Sequence, residues 1–114
     1  MAEISDLNNL DANNTGRFPE GQLIPTFNDG ARALEGMIAR ANNDRNGSNT
    51  TTGSGSAYTL TTNAAYPALA GGMFFLIRFH TANSGACTLQ VNSLAAKPLR
   101  KRNNAALVIG DIFT

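Results

Sequence analysis

A chain of 114 residues holds one domain, or one small domain with an appendage, and is too short for two large ones. Apolar residues make up 42%, but many are alanine and tryptophan is absent, so core volume is scarce and association between copies is the expected remedy. A net charge of +1 argues against nucleic acid as the main partner, no apolar run approaches the roughly 20 residues of a membrane span, and Cys87, alone, excludes an intrachain disulfide or a thiolate metal cage.

The charge is unevenly spread. Seven acidic residues (Glu3, Asp6, Asp11, Glu20, Asp29, Glu35 and Asp44) face only Arg17, Arg32, Arg40 and Arg45 in the front part of the chain. Beyond Ser56 the sole carboxylate side chain is Asp111, against Arg78, Lys97, Arg100, Lys101 and Arg102. The opening MAEISDLNNL has neither the basic start nor the apolar stretch of a secretory signal, so export by that route is not expected.

Residues 1–25 lack helical periodicity, are rich in Asn and Asp, and carry the breakers Gly16, Pro19, Gly21 and Pro25. Apolar points recur sparsely at Ile4, Leu7, Leu10, Phe18, Leu23 and Ile24, the pattern of an extended arm that docks on another surface.

Residues 26–45 read as a helix. Thr26 with Asp29 three positions later resembles a capping box, and Phe27, Ala31, Leu34, Ile38 and Ala41 follow steps of four and three, a heptad seam with Met37 on its flank. Gly30 and Gly36 each cost about 1 kcal/mol relative to Ala in a helix interior, so the helix needs a partner. Self-association around a symmetry axis and packing on the chain's own β domain both satisfy the seam.

Residues 46–56 read as a polar linker, with Asn46-Gly47 as a turn signal. Sequons at Asn13, Asn46 and Asn49 read as loop chemistry rather than glycosylation sites, given no export signal. Residues 57–114 break into strand-length runs at Ala57 to Thr61, Met73 to His80, Ala86 to Asn92, Lys97 to Arg102 and Ile109 to Phe113. Their spacing predicts a small antiparallel β domain, with a hairpin at Asn83-Ser84-Gly85 and the almost continuously apolar Met73 to Phe79 as its central strand.

Candidate chemistry is sparse. His80 is the only histidine and has almost no carboxylates in its own domain with which to hold a metal. Cys87 could approach His80 across the predicted hairpin, but nothing supplies a third orienting group or an oxyanion site, so a buried packing role is expected. Leu99-Arg100-Lys101-Arg102 is too short and too poor in aromatics for nucleic acid and reads as a solvated edge that discourages stray strand pairing. One acidic side chain cannot supply a glycosidase pair. The expectation is a protein without catalysis, metal or cofactor.

The order of these strings resembles the N-terminal portion of a bacteriophage tail fibre protein. The resemblance runs through Ile4-Ser5-Asp6-Leu7, Phe18-Pro19-Glu20-Gly21, Thr26-Phe27-Asn28-Asp29-Gly30-Ala31-Arg32-Ala33-Leu34 and Arg45-Asn46-Gly47-Ser48. It continues through Ala57-Tyr58-Thr59-Leu60-Thr61, Thr88-Leu89-Gln90-Val91-Asn92-Ser93-Leu94 and Ala96-Lys97-Pro98-Leu99-Arg100-Lys101. It implies a virion structural protein, made in the host cytoplasm, whose arm binds a phage tail or adaptor protein and whose remainder is homotrimeric. The expected architecture is α+β: an extended arm, a short helix able to form a trimeric coiled coil, and a small antiparallel β-sandwich or barrel-like domain. An alternative is a carbohydrate- or receptor-binding β module presenting Tyr58 or Tyr66 to a glycan.

Overall fold

The computed structural model describes Gly21 and residues 23–114. The arm residues Ile4, Leu7, Leu10 and Phe18 lie outside the described residues. One helix, α1 (Ile24–Asn43), precedes six short strands: β1 (Asn49–Thr50), β2 (Thr52–Gly53), β3 (Ala57–Leu60), β4 (Ile77–Arg78), β5 (Thr88–Val91) and β6 (Lys97–Pro98).

Helix α1 starts two residues before the expected Thr26. Its N-cap is Leu23, which offers no side-chain acceptor. The anticipated capping box does not form, because Thr26 already lies inside the first turn and its Oγ1 donates back to the Leu23 carbonyl at 2.8 Å. The helix runs 20 residues, with Arg40 near its negative C-terminal end.

The strands form two small sheets of mixed direction rather than an antiparallel sandwich or closed barrel. One sheet has the order β2-β3-β5-β6, the other pairs β1 with β4. The β3–β5 pair is parallel, with Ala57 opposite Thr88 and Leu60 opposite Val91, and β1–β4 is parallel as well. Alternation of side chains identifies a strand but carries no information on its direction. Here residues 61–87 form a crossover long enough to bring β5 back alongside β3 in the same sense.

The stretch expected as a linker is part of this fold. It carries β1 and β2, and Thr51 between them is 1% exposed. A tight turn joins β2 to β3, with Ser54 and Ala57 exchanging backbone hydrogen bonds of 3.0 and 3.2 Å. Gly53 approaches so closely that a Cβ there would collide with the Ala57 carbonyl oxygen.

The core is small: Tyr58, Leu60, Ala64, Cys87 and Val91 from the β part, with Met37 and Ala41 from α1. Strand β3 alternates as a half-buried strand should, with Tyr58 and Leu60 inward. The Tyr58 ring meets Phe79 edge-on at 4.9 Å, and its hydroxyl donates to the Thr81 carbonyl at 2.9 Å. Each large side chain buried here contributes on the order of 2 kcal/mol.

Three expected strand features differ. Only Ile77–Arg78 of the Met73 to His80 run is strand. Phe74 and Leu76 are exposed, because among the described residues no second layer covers a segment whose continuous apolarity read as doubly buried. No β4–β5 hairpin forms; buried Asn83 instead donates from Nδ2 to the Gly85 and Val108 carbonyls and accepts from Ile112 N–H at 2.9 Å. Asn83 thereby clips down the Ile109 to Phe113 stretch as a loop rather than a strand, and the Lys101–Asp111 ion pair of 2.9 Å braces it.

Candidate functional site

The strongest polar constellation stands where α1 ends. Asp44 is fully buried. Its Oδ1 accepts from Asn63 N–H at 2.7 Å, Asn63 Nδ2 at 3.0 Å and Asn49 Nδ2 at 2.9 Å. Its Oδ2 accepts from Ala64 N–H at 3.0 Å and the Tyr66 hydroxyl at 3.2 Å. Its own backbone carbonyl accepts from Leu76 N–H at 3.3 Å.

Burial pushes the Asp44 carboxyl upward in pKa, but the donors from Asn63, Ala64 and Asn49 outweigh it and hold the group below its ordinary value. A carboxylate beside the negative end of a helix dipole is unfavourable by itself. Five neutral donors converging on one anion reverse that cost. The consequence is mechanical: the Asp44 carboxylate fixes the foot of α1 to β1 and to the 63–66 segment, and its backbone carbonyl holds the loop before β4.

From this foot α1 leads outward with one apolar stripe largely exposed. Met37 and Ala41 face the core, at 0% and 4% exposure. Ala31 and Leu34 are half-buried, while Ile24, Phe27 and Ile38 are 87%, 58% and 54% exposed. The expected seam residues therefore divide: Ala41 is consumed within the chain, and Phe27 and Ile38 face outward. Leu23 and Ile24, expected in the docking arm, stand exposed at the helix start. Met37, read as a flanking residue, is the most buried side chain of the helix.

A second feature lies in the loop before β4, beyond the foot of α1. Arg45 lies two residues past the end of α1, and its guanidinium covers the Phe74 ring at 5.3 Å. Arg45, Tyr66, the Gly71-Gly72 turn and residues 73–75 border an open groove of about 330 Å³. The Phe75 ring closes its inner side by meeting Tyr66 edge-on at 5.3 Å.

The other candidates are structural in their surroundings. His80 Nδ1 pairs with Thr51 Oγ1 at 3.0 Å and Nε2 with the Gly53 carbonyl at 3.2 Å, so the ring ties the two sheets together. Cys87 is buried, and burial pushes its thiol pKa up, away from the reactive thiolate. In the basic run, Arg100 bridges to Ala106 and Lys101 is paired with Asp111. Tyr58 is 1% exposed and Tyr66 is half-buried with its hydroxyl on Asp44, so neither ring stands out for a sugar. Among the described residues, no three His, Cys, Asp or Glu side chains are placed to hold a metal ion, and no helix is long and apolar enough to cross a membrane.

Sequence reasoning missed Asp44, because its five donors come from positions up to 22 residues away and no local pattern marks them. No protein-family model matches the chain, and no curated protein or solved structure is significantly similar to it.

Proposed function

We propose that the chain is a structural protein of a phage tail: the N-terminal part of a tail fibre, or a short fibre adaptor, that attaches the fibre to the tail and trimerises through α1. The motif order from Ile4 to Lys101 motivates the assignment to a fibre. The observation that carries the assembly role is the exposed seam residues Phe27 and Ile38 on a helix whose foot is fixed by Asp44. An apolar stripe held rigidly outward loses little conformational freedom when it meets copies of itself, so more of its burial appears as binding. Residues 1–25 supply the contact to the tail or an adaptor protein in this reading.

The test is the mass of the full chain in solution by light scattering. A trimer is expected, and Ile38→Asp should return it to a monomer with unchanged circular dichroism. Ile38 is chosen because it is 54% exposed within one copy, so the change spares the fold while placing a charge in the interface. A monomeric wild type at high concentration, or an oligomer indifferent to the substitution, would sink the proposal.

The alternative, a carbohydrate- or receptor-binding β module, draws support from a different place than Tyr58 or Tyr66. The Arg45–Phe74 groove joins a cation to an aromatic wall, which suits an acidic sugar. Glycan-array binding that disappears in Phe74→Ala would favour it.

A further inference from the structure

We infer that the turn joining α1 to β1 is a site of self-modification, at which the folded chain promotes loss of the Asn46 side-chain amide. Three observations converge there. Gly47 follows Asn46 with φ +80° and no Cβ to obstruct its nitrogen. The Gly47 N–H donates to no acceptor among the described residues, whereas its neighbour Ser48 N–H donates to Asn46 Oδ1 at 2.9 Å. Both Asn46 and Ser48 are exposed, so water and hydroxide reach the turn.

The reaction needs no partner but water. Hydroxide removes the Gly47 amide proton, and the nitrogen attacks Asn46 Cγ. Negative charge then develops on Oδ1, where the Ser48 N–H already points, as an oxyanion donor would. The Cγ–Nδ2 bond breaks, ammonia leaves with a proton from water, and a cyclic imide remains. Water opens it at Cγ, giving Asp, or at the backbone carbonyl, giving isoaspartate; no atom changes oxidation state. The Asx turn curls the side chain over the Gly47 peptide before the reaction starts, so the fold meets part of its ordering cost.

The product matters because of its place. Asn46 lies between Asp44 and Asn49, two members of the hydrogen-bonded hub at the foot of α1. Conversion adds a negative charge beside a buried carboxylate and, in the iso form, an extra backbone carbon in the turn. The helix is then held less firmly to the sheets. This inference is independent of the fibre reading.

The experiment follows the full chain in mildly alkaline buffer, once folded and once in urea, with tryptic mapping and chromatographic separation of the Asp and isoaspartate products. Cleavage after Arg45 and Arg78 yields one fragment from Asn46 to Arg78, in which Asn49 and Asn63 serve as internal references. Asn46 is expected to convert first, and at least as fast in the folded chain as in urea. Ser48→Pro, which removes the N–H donor, should slow the folded chain and leave the urea rate nearly unchanged. Folded-state conversion slower than in urea by roughly tenfold, about 1.4 kcal/mol of barrier, would overturn the inference without recourse to any variant.

Discussion

Asp44 is the residue on which the arrangement of the rest depends. Its carboxylate has neutral partners only, each placed by backbone or by a side chain from another segment. Replacing it by asparagine keeps the shape but turns one acceptor into a donor that faces N–H groups. Asp44→Asn should cost roughly 2 to 4 kcal/mol, read from urea unfolding at neutral pH. The pH dependence has a definite sign. Because the folded carboxyl is held below its ordinary value of 3.8, its contribution is fully present above that value and is lost as pH falls through the lower, folded one. The stability difference between wild type and Asp44→Asn should therefore be constant at neutral pH and shrink below about pH 4. A difference that persists unchanged in strong acid would remove Asp44 from the account.

At the scale of the element, α1 has two faces with different work. Met37 is fully buried and Ile38, its neighbour in sequence, is 54% exposed. Met37→Ala should destabilise the folded chain by about 3 kcal/mol through lost packing and the cavity left behind. Ile38→Ala should leave the unfolding of a single copy within about 0.5 kcal/mol of wild type and act only on association. Urea titrations of dilute protein separate the two; equal costs would mean that the faces are wrongly assigned. The residues of the heptad pattern, Phe27, Ala31, Leu34, Ile38 and Ala41, all lie within the helix, which begins and ends two residues earlier than the expected 26–45. The pattern did not reveal that the buried line runs through Met37 and Ala41 to Asp44. An apolar pattern reports that a face is covered, and is silent on which neighbour covers it.

At the scale of the whole molecule, scarce core volume and exposed apolar surface point the same way. Besides the helix stripe, Phe74, Leu76, Val108, Ile109 and Phe113 are each more than half exposed. A chain with so much apolar surface in water gains stability when copies cover it. The melting temperature should therefore rise with protein concentration, measured by scanning calorimetry over a wide dilution series, and the rise should vanish in Ile38→Asp. A concentration-independent transition would place the stability within one copy. The proposed fibre role makes use of the same surface.

The sequence by itself determined what depends on nearest neighbours. A helix followed the three-and-four spacing from Phe27, and strands formed at Ala57–Leu60 and Thr88–Val91, where polar and apolar residues alternate. The turn chemistry at Asn46-Gly47 was also local. Tertiary structure alone decided the parallel sense of β3 and β5, the failure of Met73 to Phe79 to become a central strand, and the burial of Asp44 and Asn83. Each of these rests on partners far along the chain: a strand's direction is set by the crossover that returns it, and a polar side chain is buried only where distant donors and acceptors converge on it.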